Sequence, residues 1–478
     1  MSANWRRWLC GCCCGLAGLG SAQAAVFDHL LSDPLDTRAW ISQETGQPWE
    51  GNPRHLPQAA TPAPVPFLQP TSLAALTAFA LAHNPATRVA FANLQAAAAG
   101  LGVAESAYLP TLTLQSNAAR SEANTTAGFS IPVLNSDSTN LSLSYALLDF
   151  GARAAQRDQA LAEIYLNGFD NNSALQSVAL SVTQNYYQLL GEQALVRAYH
   201  QTVTEDAASL DAARIKQHSG LATISDVLQA QAALAQARAN LIAAEAQVRA
   251  DTGALAQSCG LPASQAIPVI PLNTRVLPPM VTPPLRALVF RARHYNPSVL
   301  AAAAQILADR ATVRADQAAG LPTLSLGVSG GKRLQSGLAP SENWSIGFTL
   351  RVPLFTGFKD TYQIRQARAQ ERGARASLNE ETQKIETIVF QDYQTILGAR
   401  SAASAARLAV TSARASLTAI QAQYKVGLAT MLDVLTAQAA LTTAQQTEIQ
   451  DITTSYVQLA NLADALGYIG FPAMKGFS

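Results

Sequence analysis

A stretch of eighteen residues occurs twice in this chain. Gly220-Leu221-Ala222-Thr223-Ile224-Ser225-Asp226-Val227-Leu228 runs on into Gln229-Ala230-Gln231-Ala232-Ala233-Leu234, and Gly427-Leu428-Ala429-Thr430-Met431-Leu432-Asp433-Val434-Leu435 into Thr436-Ala437-Gln438-Ala439-Ala440-Leu441. Over residues 220–237 against 427–444, 13 of 18 positions are identical, at an offset of 427 − 220 = 207. A match that dense marks an internal duplication, so one structural unit is built twice. Each copy carries the chemistry of a tight helix-to-helix turn. Its glycine suits the left-handed residue that ends a helix. Thr223 with Asp226, and Thr430 with Asp433, have the spacing of a capping box for the helix that follows.

The duplication extends further. Asn84-Pro85 parallels Asn296-Pro297, and Leu109-Pro110-Thr111-Leu112 parallels Leu321-Pro322-Thr323-Leu324. Phe150-Gly151 has its counterpart in Phe355-Thr356-Gly357, and Gln184-Asn185-Tyr186 in Gln391-Asp392-Tyr393. Each half therefore repeats one order: helix, two strands, long helix, tight turn, helix.

Period-two alternation marks the strands. Leu112 and Leu114 alternate with Thr111 and Thr113; Leu141, Leu143, Tyr145 and Leu147 with Ser142, Ser144 and Ala146. Leu324, Leu326 and Val328 alternate with Ser325, Gly327 and Ser329; Trp344, Ile346, Phe348 and Leu350 with Ser345, Gly347, Thr349 and Arg351. By itself this pattern fits the half-buried sheet of a soluble domain. It also fits tilted strands of roughly 9–12 residues crossing a bilayer, and three features favour that second reading: an export signal, polar loops at Ser121–Asn140 and Lys332–Asn343, and the long helices that follow. Four strands cannot close a membrane barrel, and open edges are not tolerated in hydrocarbon. Strands that cross would need other copies to complete the wall.

From Ala152 to Gly220, and from Phe358 to Gly427, the sequence is mostly helical, about 100 Å if continuous. Leu175, Val178, Val182, Tyr186 and Leu189 form an apolar stripe; Ile385, Ile388, Phe390 and Ile396 form a looser one. Gly168 and Gly191 predict a break or kink in the first long helix. The returning helices carry Leu234, Leu241 and Val248, and Leu441, Ile449, Ile452 and Leu459, amid small residues suited to side-by-side packing.

Arg6 and Arg7, an apolar run from Trp8 to Leu19, and Ala22-Gln23-Ala24 read as a secretory signal cleaved after Ala24. Leu9-Cys10-Gly11-Cys12 looks like a lipoprotein processing site, but the four residues between Arg7 and Cys12 are too few for an apolar core. Cys259 then remains alone and is read as a small, semi-buried residue. A net charge of +1 gives no sign of nucleic acid as a partner, and no histidine motif or nucleophile elbow suggests an enzyme or a cofactor. The expected segments are a signal peptide (1–24), a proline-rich arm (25–70), repeat one (71–258), a linker (259–283), repeat two (284–468) and a tail (469–478).

The doubled Gly-Leu-Ala-Thr-x-x-Asp-Val-Leu turns, the Leu-Pro-Thr-Leu strand entries and the Phe-Gly exits together resemble the outer membrane factor family typified by TolC. The resemblance spans roughly residues 71–470. It implies a mixed α and β fold in which three protomers share a twelve-stranded outer-membrane barrel, four strands each, continued by an α-helical periplasmic barrel. It further implies a passive exit duct in a Gram-negative outer membrane. The expected partners are two further copies of the chain, outer-membrane lipid, a periplasmic adaptor, and an ATP-driven or proton-driven inner-membrane exporter.

The turns at Gly220, Leu221, Ala222 and Thr223, and at Gly427, Leu428, Ala429 and Thr430, would then face the adaptor or pump. Asp433 and Thr436 match positions lining the pore constriction; Thr436 stands where the family has a second aspartate. The plain reading of Asp433 is the cap with Thr430, and one carboxylate can serve both purposes. Tyr424 and Asp226, with Ser225 beside them, match contacts that hold the closed tip. Ala429 occupies the position of the family's arginine, which leaves Lys425 as a nearby cation. The sequence resembles members serving type I secretion of adenylate cyclase–haemolysin-like toxins. Small-molecule efflux, and an exported coiled-coil scaffold, are the alternatives.

Overall fold

The computed structural model describes residues 69–121, 134–271 and 279–468. The signal peptide, nearly all of the arm, and the tail lie outside the described residues. The first repeat comprises α1 (Leu73–His83), α2 (Pro85–Ser106), β1 (Thr111–Ser121), β2 (Leu134–Leu148), α3 (Ala152–His218) and α4 (Ile224–Ser258). The second comprises α5 (Leu285–Tyr295), α6 (Pro297–Ala319), β3 (Thr323–Gln335), β4 (Ser341–Arg351), α7 (Lys359–Lys425) and α8 (Met431–Ala465). The long helices α3 and α7 both have 67 residues, and α4 and α8 both have 35.

The first helix of each repeat is split in two by its Asn-Pro pair. Proline has no N–H to continue a helix but suits its first turn. Asn84 and Asn296 cap the helices that restart, accepting from Ala86 N at 2.8 Å and Ser298 N at 2.9 Å. Each also donates to the end of the last helix in its own repeat: Asn84 Nδ2 to Ser258 O at 2.8 Å, Asn296 Nδ2 to Ala465 O at 3.0 Å. Each of those helices ends on a left-handed glycine, Gly260 or Gly467, pressed against this same Asn-Pro corner. His83 and His294 are part of the helix ends, each stacked on the phenylalanine one turn earlier at 4.2 Å.

The sheet is antiparallel in the order β1-β2-β3-β4, with β1 and β4 as open edges. The polar loops are shorter than the sequence suggests. Ser121 pairs with Leu134, and Arg333 with Ser341, so residues 134–140 and 332–335 belong to strands. Residues 135–140 and 332–335 are polar apart from Leu334, and backbone pairing extends the ladder there without alternation. Helices continue the lateral order of the strands. In the half next to the sheet α2, α3, α6 and α7 are neighbours in that order; farther away the order is α4, α3, α8, α7.

The expected break at the helical glycines does not occur: α3 runs unbroken from Ala152 to His218. Gly191 is there for a close approach. A Cβ at this position would lie 2.6 Å from Thr453 Oγ1 of α8. Of the expected stripes, Val178, Val182, Tyr186 and Leu189 are buried, whereas Phe390 is half exposed and its neighbour Val389 takes the core position. These residues form two equivalent cores, one at each Asn-Pro corner. Cys259 is fully buried in the first, and burial pushes its thiol up to about 11, far from reactive.

Candidate functional site: an uncovered sheet and paired hairpin tips

Strand register gathers the apolar side chains on one face. Leu112 pairs with Leu143, Leu143 with Val328, and Val328 with Ile346, giving a row that crosses all four strands. Tyr145, Leu326 and Phe348 make a second row. The opposite face is small and polar: Thr113, Ser142, Ser329 and Ser345 are in register, with the last two hydroxyls 2.9 Å apart. Among the described residues no helix packs closely on either face. Trp344 is 81% exposed and Phe348 69%. A soluble sheet would bury such a face against another layer. Within one chain, this face has no covering layer among the described residues.

Each second strand passes into its long helix through two consecutive left-handed residues, Phe150-Gly151 and Gly357-Phe358. Asp149 organises the first junction, accepting from Gly151 N and from both Arg153 N and Arg153 Nε. Among the described residues no helix is long and apolar enough to cross a membrane.

At the far ends of the long helices the duplicated turns lie side by side. Leu210 and Ala213 of α3, Val227, Ala230 and Leu234 of α4, and Met431 and Val434 of α8 share one core. Gly220 and Gly427 are left-handed, and Leu221 N and Leu428 N reach back to Lys216 O and Gln423 O to close each helix. Both capping boxes form. Thr223 N and Oγ1 donate to Asp226 Oδ2, and Thr430 N and Oγ1 donate to Asp433 Oδ2, all at 2.7–2.9 Å. The Thr430 hydroxyl and backbone N–H hold the Asp433 carboxyl below the usual carboxylate value. Asp433 is exposed, as is Thr436 one turn on, whose hydroxyl donates to Leu432 O at 2.7 Å. Leu221 and Leu428, at the turns themselves, are among the most exposed leucines described.

Tyr424, at the end of α7, does not hydrogen-bond to Asp226: its hydroxyl is buried without a partner. Burial, reinforced by the Asp226 charge, raises that hydroxyl's pKa. Ser225 is exposed at the start of α4. The cation at this place is Lys216 of α3, which sequence reasoning missed in favour of Lys425. Its Nζ lies 3.7 Å from the Tyr424 ring centroid and donates to the Tyr424 carbonyl, so it joins the two hairpins. A lysine in the last turn of a helix is already explained by the helix dipole, and its partner is 208 residues away. Only the first-hairpin position of Lys216 opposite Tyr424 could have signalled the contact. Lys216→Met is expected to destabilise the joined tips by about 1–2 kcal/mol, and Lys216→Arg by less. Melting of the detergent-purified protein measures this; equal midpoints for wild type and Lys216→Met would refute it.

Comparison with known proteins gives a consistent picture. The family model described as "Outer membrane efflux protein" matches residues 76–261 and 288–468. The chain is 29% identical over 430 residues to Protein CyaE of Bordetella pertussis, covering 88% of this chain and 89% of that protein. It is 26% identical over 406 residues to the outer membrane protein TolC of Escherichia coli, covering 80% of each. The crystal structure of the outer membrane protein VceC from Vibrio cholerae superposes with a TM-score of 0.72 at 23% identity, covering 83% of this chain and 96% of that one.

Proposed function

The chain belongs to the outer membrane efflux protein family, and from that premise we propose that it is the outer-membrane exit duct of a tripartite export system. The observation that carries this reading is a four-stranded sheet with an uncovered apolar face and two open edges, running directly into long helical hairpins. In hydrocarbon every strand edge must be paired. Three copies, contributing twelve strands, close the wall at a size within the known range of membrane barrels. The small polar face then lines the interior, and the helices extend the passage into the periplasm. The duct performs no reaction; its energy comes from an inner-membrane exporter, ATP-driven or proton-driven, joined through a periplasmic adaptor. The exposed leucines at the two turns supply an apolar surface for that engagement.

For the cargo we favour a protein toxin delivered by type I secretion, because the sequence resembles members of the family that serve toxin exporters. Small-molecule efflux is the second reading, favoured by the description of the matching family. Deleting the protein and assaying both toxin in the culture supernatant and drug sensitivity separates the two. Unchanged supernatant protein would end the secretion reading, and unchanged sensitivity would end efflux.

Within the duct, Asp433 both caps α8 and lines the constriction, with Thr436 one turn away. Three copies of Asp433 make an acidic ring favouring cations. Asp433→Asn keeps an oxygen that can accept from Thr430 but removes the charge. Single-channel reversal potentials are expected to show a reduced preference for cations. A preference identical to wild type would leave Asp433 as a cap and nothing more.

A further inference from the structure

Repeat one is an internal reference for repeat two. At the offset of 207, Asn185 of α3 matches Asp392 of α7, Ala254 matches Asn461, and Gln257 matches Asp464 near the end of α8. In repeat one the amide works as a tie: Asn185 Nδ2 donates to Ala254 O at 3.3 Å, joining α3 to α4. In repeat two the tie is replaced by a carboxyl whose Oδ2 is buried without a hydrogen-bond partner. An ionised carboxylate can only accept, as can the Asn461 carbonyl that matches Ala254 O, so the tie of repeat one is open to Asp392 only when it is protonated.

The charged surroundings do not relieve this. The elements packed against α7 are α5, α6 and α8. On α5, Arg291 lies over the Tyr468 ring at 4.0 Å, Arg293 is paired with Glu386, and His294 Nδ1 is bonded to Phe290 O. The first charged residue of α6 is Asp309, and α8 brings Asp451 and Asp464. On α7 itself Lys384 is paired with Glu381, and Arg400 lies two turns farther along. Asp464 is the charge that acts on Asp392: burial and then that neighbour push Asp392 up to about 6, and burial raises Asp464 as well. Burial is the larger cause, and a second carboxylate on the facing helix adds to it. The site adjoins the joint between repeats' first and last helices, because Ala465, next to Asp464, receives Asn296, and Gly467 meets Tyr295.

We propose that Asp392 is a proton-operated anchor at the root of the second hairpin: a proton on its buried carboxyl lets Asp392 act as Asn185 does in repeat one, and loss of that proton leaves a buried charge near the Asn296 joint and loosens α8. The direction follows from the raised values. The folded protein holds the proton more tightly than the unfolded chain, so the anchor is complete below 3.8 and is lost as pH rises through about 6.

Hydrogen exchange of the full-length protein in detergent, read on peptides covering residues 459–468 and corrected for intrinsic rates, tests the proposal. Opening of this segment is expected to increase several-fold between about pH 5 and about pH 8. Asp392→Asn, which installs the residue repeat one already uses, is expected to flatten that response. Repeat one has a buried acid of its own, Asp251, whose Oδ2 lacks a partner. Asp251→Asn is therefore the control, and should leave the response at 459–468 intact. A wild-type segment indifferent to pH overturns the anchor, as does a response that survives Asp392→Asn. The wild-type measurement stands even if the variant does not fold. Its failure would leave the duct reading untouched, since nothing in it depends on cargo or conductance.

Discussion

Replacing Gly467 by alanine is expected to abolish the assembled protein. Two costs coincide at this residue. Its φ of +77° lies in the left-handed region, which costs an alanine about 1–2 kcal/mol. A Cβ there would also overlap the Tyr295 carbonyl oxygen and sit 2.8 Å from the carbonyl carbon. Both atoms are backbone, held where α5 ends and Asn296 bonds to Ala465 O, so they cannot swing aside as a side chain could. Relief requires parting α8 from the α5–α6 corner, which breaks that hydrogen bond and opens the core around Leu462 and Leu466. The sum exceeds about 4 kcal/mol, a large share of a typical folding stability. Gly427→Ala is the matched control: φ is +82°, but nothing lies within 4 Å of the added carbon, and the cost is the backbone's alone, about 1–2 kcal/mol. The amount of folded protein recovered from outer membranes, and its melting midpoint in detergent, should separate the two variants clearly. Equal recovery would mean that the corner is not a rigid joint.

The second large effect is expected on the sheet. Val328 lies in the apolar row between Leu143 and Ile346, on an inner strand. If that row faces lipid, Val328→Arg places a guanidinium in hydrocarbon at a cost of about 2–4 kcal/mol in each chain near the bilayer midplane. In a trimer the three costs act together, and insertion should fail. Ser329→Arg, one residue on, points to the polar face and should insert; its effect belongs to conductance. Membrane fractionation with bilayer recording reads both. Val328→Arg inserting as well as Ser329→Arg would remove the membrane from the account of this sheet.

Much of the architecture was legible because the chain can be compared with itself. Alternation of Leu, Tyr, Phe and Trp with Ser, Thr and Gly placed the strands. Glycine and Thr-x-x-Asp at one spacing placed the turns, whose capping boxes depend only on residues three apart. What escaped was what depends on distant partners. Gly191 was read for its helix propensity, although its meaning is the approach of Thr453 from α8. The polar ends of β2 and β3 carry no alternation, so only pairing reveals them. Lys216 meets Tyr424 across the hairpins, with no local pattern to mark it. Asp392 was visible in the self-alignment as the partner of Asn185, but its meaning waited on burial.

Tandem doubling within one polypeptide also fixes the symmetry available to any ring it forms. Six half-length subunits would be obliged to present six equal tips. A chain holding both halves presents two kinds, three times each. One kind carries Lys216 beside its turn and the other Tyr424, so unlike neighbours can hold each other in a way that six equal tips could not specialise to do. The covalent link between the halves thus makes room for a division of labour between the two kinds of tip.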